Sequence, residues 1–226
     1  MQELEQLSLK EREKLFTYLR IYVTHTSSSL DGATITLAQT KELLTTKCVN
    51  NMSAKHEQLI ILGFAKAYDL IIKRAVKTKL PLDAKFLKLI HNTIYQEALN
   101  KTPDMISNHI GEFKVLDENM LDLGVEVPVS EMIHEDINDL FKKTSCSTMS
   151  LVNIFKFHVE LKEIKPFTCG NIQVAMLVML YQSIQNNIVP ILITPDKYRA
   201  YLKAVENNKT IYVFLDECTK NSMKLI

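Results

Sequence analysis

Apolar residues recur along most of the chain at steps of three and four, the period of a helix with one buried face, and polar capping residues stand at the breaks between these runs. Ser8-x-x-Glu11 has the form of a capping box and leads into Leu15, Phe16, Leu19, Tyr22 and Val23, which predicts a first helix ending near the serines at 27–29. Thr36-x-x-Gln39 predicts a second box, opening a short helix over 37–44. Further helices are predicted over 54–77, with Leu59, Leu62, Ala65, Leu70 and Ile72 among the apolar positions, over 83–99 behind Asp83, over 130–142 behind Ser130, and over 148–163. Thr194-Pro195 reads as an N-cap and first-turn pair for a helix running to about Val205.

Two stretches resist this period. Residues 112–128, EFKVLDENMLDLGVEVP, place short apolar runs around a polar middle and predict an extended or hairpin segment. Thr210 to Leu215, TIYVFL, has strand composition between helical neighbours and is assigned to a helix. With only five glycines and a mostly helical period, the fold class is all-α. A chain of 226 residues can bury a sizeable core, and we read it as one domain over 1–226, with N-terminal helices over about 1–50 and a core over about 51–226.

One run departs from amphipathic patterning altogether. Pro166 to Pro195 contains no Asp, Glu, Lys or Arg, and a helix is predicted to start at Gly170 or Asn171 and to fade near Asn187. Its uninterrupted apolar part, Val174 to Tyr181, is far shorter than the ~20 residues that span a bilayer. A helix buried in the centre of the fold is expected instead, and no membrane partner.

Charge and composition narrow the field further. The 27 basic and 26 acidic residues are spread along the chain, so there is no electrostatic footprint for nucleic acid. Cys48, Cys146, Cys169 and Cys218 are far apart and form no C-x-x-C pair, which signals neither a zinc site nor a disulfide framework. The first residues, MQELEQLSLKEREK, lack an apolar signal core, and with reduced thiols this gives a cytoplasmic expectation. His25, His56, His91, His109 and His134 show no metal-ligand spacing and read as surface or core positions; no metal site is expected.

Three segments, in this order, resemble the Fic family, whose best-known members transfer AMP from ATP to a protein hydroxyl. SSSLDGATITLAQTKELL, 27–44, is similar to the family's inhibitory segment, with Ser27 and Asp31-Gly32 at its Ser and Glu-Gly positions. GEFKV, 111–115, sits where the target-docking flap usually begins, so the resemblance implies a short hairpin flap. FHVELKEIKPFTCGNIQVAM, 157–176, is similar to the active-site stretch, whose usual form is His-Pro-Phe-x-Asp/Glu-Gly-Asn-Gly-Arg-x-x-Arg, with His158 at an earlier histidine position. ATP with magnesium is the cofactor this resemblance implies, and a protein target or regulatory partner.

The chemistry does not carry over intact. Such a transfer needs a base, a divalent metal and donors for the transferring charge. Lys165 stands at the position of the family's catalytic His, and an amine accepts a proton at neutral pH only when burial strips its charge. Cys169 replaces the acidic metal ligand, although magnesium prefers hard oxygen donors. Ile172 replaces a phosphate-loop glycine, Gln173 the first arginine and Met176 the second. Gly170, Asn171 and Ile172 remain as a helix start whose backbone N–H groups suit an anion.

Asp31 is one methylene shorter than the inhibitory Glu and has lost its arginine partner, so it is expected to turn to the N–H groups at the start of the 171 helix or to Lys165. Two functions stay open. One is a Fic-like protein without AMP transfer that serves as a binding or regulatory module; the other is a transferase with altered nucleotide or phosphate-donor chemistry.

Overall fold

The structure, a computed structural model, describes residues 3–48, 55–78, 80–106, 109–114, 129–143 and 148–226. Its described residues form nine α-helices: α1 (Leu9–Leu30), α2 (Leu37–Thr46), α3 (Lys55–Lys77), α4 (Ala84–Lys101), α5 (Val129–Lys142), α6 (Leu151–Ile164), α7 (Asn171–Gln185), α8 (Tyr198–Glu206) and α9 (Asn208–Met223). The all-α expectation holds. Among the described residues the only β pairing is an isolated bridge between Glu3 and Ile188. Of the expected hairpin over 112–128, residues 115–128 lie outside the described residues.

The caps start the helices as their chemistry dictates. Ser8 and Glu11 form a reciprocal capping box at α1, and Thr36 and Gln39 form another at α2. Asp83 accepts the Phe86 N–H at 2.7 Å to start α4, and Ser150 accepts from Asn153 to start α6 three residues later than expected. Thr194 makes no side-chain cap. Pro195–Lys197 instead tightens into a 3₁₀ turn, so α8 begins only at Tyr198. Ser130 lies inside α5, which starts at Val129.

The uncharged run becomes α7, and it is enclosed. Every side chain from Gln173 to Ile184 is buried, and α1, α3, α4 and α6 pack around it. Its amides find uses at both ends: Gln185 donates to the Leu80 carbonyl, Asn186 accepts from the Met149 N–H at 2.8 Å, and Asn187 accepts from the Glu5 N–H at 2.8 Å. These bonds tie the chain's N-terminus and the loops before α4 and α6 to the end of one helix. Among the described residues no helix is long and apolar enough to cross a membrane.

Helices α3 and α4 approach closely through Gly63. A Cβ built there would lie 1.9 Å from the Ile94 carbonyl oxygen, a backbone atom that cannot rotate away. Gly63→Ala is expected to lower stability by about 3 kcal/mol or more, at the upper end of overpacking costs, read as a fall in the urea midpoint with little change in slope.

Candidate functional site

Helix α6 ends at Ile164, and the chain turns through Lys165–Cys169 before α7 begins. Left-handed residues bracket the turn: Lys165 at φ 48° and Gly170 at φ 66°. Glycine is required at 170 twice over, by that φ and by the Tyr95 ring, whose hydroxyl oxygen would lie 2.3 Å from an added Cβ. Asn171 closes the turn on itself, accepting the Phe167 N–H at 2.9 Å and donating to the Phe167 carbonyl at 2.8 Å.

Phe167 is buried and stacks on the His91 ring, centroids 4.0 Å apart and planes 5° from parallel. His91, on α4, accepts the Gly111 N–H through Nδ1 at 2.9 Å, so its proton sits on Nε2, which donates to the Cys169 carbonyl at 3.2 Å. A second bond, from the Lys114 N–H to the Pro166 carbonyl at 2.9 Å, pins the 109–114 segment to the same turn. Phe113 completes the join against Phe167 at 5.4 Å. Burial lowers the His91 pKa to about 4 against a partial offset from the Cys169 backbone, so the ring is neutral.

Tyr95, one turn along α4 from His91, donates its hydroxyl to Gln173 Oε1 in the first turn of α7. Burial raises the Tyr95 pKa well above the usual value, and the nearby Asp31 and Cys169 push the same way. The Cys169 thiol is also raised by burial, so it is held as a thiol rather than a thiolate. Gln173 and Met176 are buried, at 1% and 2% exposure, and Ile172 packs against the core. His158 is wholly buried, meets the Tyr201 hydroxyl at 3.1 Å, and has its pKa lowered to about 4 by burial, as a core histidine should.

The backbone N–H groups of Asn171, Ile172 and Gln173 meet no acceptor among the described residues, so the helix start keeps its free donors. Asp31 does not fill them. Its N–H caps α1 on Ser27, Ser28 and Ser29, but its carboxylate forms no bond with Lys165 or with the start of α7, contrary to expectation. It is positioned instead to act on Tyr95 and Cys169. Much of the residue reaches solvent, so the carboxylate is tolerated without a partner although part of its desolvation cost remains. The protein mass around the carboxyl still disfavours its charge and raises its pKa to about 6. The Ser27 hydroxyl is buried with no partner among the described residues.

Lys165 is exposed, so the burial a proton-accepting amine requires is absent there. Among the described residues, no three of His, Cys, Asp and Glu come together to hold a metal ion. Sequence reasoning gave His91 only as a surface or core position, of which the structure shows the core, and did not single out Tyr95. Their i, i+4 spacing on the stripe that also carries Leu87, Ile94 and Ala98 marked a polar–aromatic pair on a buried face.

This helical arrangement, with a long enclosed helix started by the motif turn, is the Fic fold. Solved structures that match nearly all of the chain include three Fic proteins. Fic-1 from C. elegans gives a TM-score of 0.75 at 16% identity over 99% of this chain and 68% of that one. A Fic domain containing signaling protein from Bacteroides thetaiotaomicron gives 0.74 at 17% identity over 98% and 91%. A Fic family protein from Desulfovibrio desulfuricans gives 0.61 at 15% identity over 97% and 68%. No sequence-family model and no curated protein matches the chain.

Two stability measurements test the site. His91→Phe keeps the ring stack but strands the Gly111 N–H and the Cys169 carbonyl, and should cost about 2 to 4 kcal/mol at pH 7.5 in urea unfolding. Because the folded-state pKa of His91 is depressed, wild type loses stability as pH falls from 6.5 to about 4, and the gap to the variant should narrow at pH 4.5. Asp31 has the opposite sign. Its raised pKa makes the carboxylate a cost that is absent below about 3.8 and complete above about 6. Asp31→Asn should therefore raise the melting temperature at pH 7.5, with the gain shrinking toward pH 4.

Proposed function

We propose that the chain is a Fic-family protein that has lost AMP transfer and works as a binding or regulatory module in the cytoplasm, its cysteines reduced. One observation carries this reading: Gln173, at the position of the family's first arginine, is buried and engaged with Tyr95, whose ring covers the Gly170 turn. Both arginine positions are neutral and buried, and each lost charge-assisted hydrogen bond is worth ~1.5 to 3 kcal/mol. Together they remove roughly two to four powers of ten in affinity for a phosphate-bearing ligand.

The residues present do not fit a magnesium nucleotide. A protonated thiol stands where the hard oxygen ligand belongs, and the nearby carboxylate, Asp31, has a pKa raised toward neutrality. The exposed Lys165 can act as a surface donor and lacks the setting of a general base.

A second reading, a transferase with altered phosphate-donor chemistry, is favoured by the unmet N–H groups of Asn171, Ile172 and Gln173. Calorimetric titration of ATP and other nucleotides, with and without magnesium, into wild type and Asp31→Ala separates the two. The expected result is no binding in either form. Nucleotide binding that appears or tightens in the variant would replace the module reading with the transferase.

A further inference from the structure

The first half of α1 and the second half of α3 leave an open groove of about 510 Å³ between them. The two helices run antiparallel: Ile35, just beyond α1, shares a buried cluster with Ile61 near the start of α3, while Arg20 reaches Asp69. Leu9 to Arg20 lines one wall, three turns or roughly 16 Å at ~1.5 Å per residue. Arg20 lies about as far again along α1 from Asp31, so the groove is separate from the motif turn, and its use does not depend on whether that turn handles phosphate.

Its surface is apolar along the middle and charged along the sides. Phe16 and Ile72 are half-buried in it over Tyr68, while Leu9 and Val76 flank it with 70% and 57% of their surface exposed. Arg20 and Asp69 cancel each other through bonds of 2.7 and 2.9 Å. Arg12 donates through Nε to the Leu7 carbonyl and has no carboxylate partner, and Lys73 and Lys77 make no ion pair among the described residues. Three uncompensated cations therefore face one acid, Glu13.

We infer that this groove takes an acidic amphipathic helix of about three turns from a partner protein. Apolar residues at i, i+3 or i+4, and i+7 would lie along Phe16 and Ile72 between Leu9 and Val76, with Asp or Glu on either side reaching Arg12, Lys73 and Lys77. A concave trough with an apolar floor offers little to a flat bilayer, and a single acyl carboxylate would answer one of the three cations.

The test selects peptides of about fourteen residues on the full chain. Their apolar positions are held at helical spacing, and their flanks are randomised over acidic, basic and neutral residues. Acid-flanked peptides should be recovered, and their binding by fluorescence anisotropy should weaken about tenfold or more with Lys73→Glu and Lys77→Glu together, and separately with Val76→Asp. Exchanging the peptide's acids for lysines should restore binding to the double variant. All three substituted positions are exposed, and an unchanged melting temperature confirms folding. The inference is overturned by neutral or basic winners, by equal binding to the double variant, or by no recovered peptide. It is equally overturned if dodecanoate or anionic phosphatidylserine vesicles bind the groove where acidic peptides do not, or if the groove instead pairs with a second copy of the chain.

Discussion

A helix with no charge anywhere along its fifteen residues has to be enclosed on all sides, and α7 imposes that requirement on everything around it. Helices α1, α3, α4 and α6 close over it, and its buried polar groups must then be met inside the protein. Tyr95 meets Gln173, and the Ser183 hydroxyl turns back to the Met179 carbonyl, while Gln182 Oε1 is buried with no partner among the described residues. At the far end, Asn186 and Asn187 gather the loop before α6 and the N-terminal residues. Sliding such a helix along its axis would break its bonds to Tyr95, Met149 and Glu5 together.

The same enclosure fixes the shape of the turn that starts the helix. Phe167 anchors the turn against His91, Asn171 closes it, and Gly170 admits the Tyr95 ring. These residue types are what an enclosed helix needs at its start. Ile172, Gln173 and Met176, in the first turns of α7, carry apolar or neutral side chains directed into packing. The backbone geometry of the turn is thus held by the core, and these side chains take part in holding it.

Much of this was legible in the sequence where the governing physics is local. The capping residues Ser8, Thr36 and Asp83 each start a helix through a bond spanning three residues. Thr210 to Leu215 is helical despite its strand-like composition, because Ile211, Phe214, Leu215 and Cys218 fall on one helical face and burial outweighs intrinsic preference. The Pro195 turn was harder, since a proline that permits a helix start also permits a 3₁₀ turn. The site was legible in its residue types and not in its contacts. His91 and Tyr95 meet partners 78 residues away, and no spacing rule links them. Asp31 was expected to need a partner because its exposure could not be read from its neighbours in sequence.

The His91 ring joins a donor on one side to an acceptor on the other, and it can do so only in one sense. The Gly111 N–H fixes which nitrogen is bare, and that choice obliges the other to carry hydrogen toward Cys169. Asparagine and glutamine offer both functions but lack the flat ring that lies on Phe167, while phenylalanine and tyrosine supply the ring without two opposed polar edges. The joint between the 109–114 segment and the motif turn is therefore written in an alphabet of one letter, and the two parts it couples can diverge in sequence only while that letter stays.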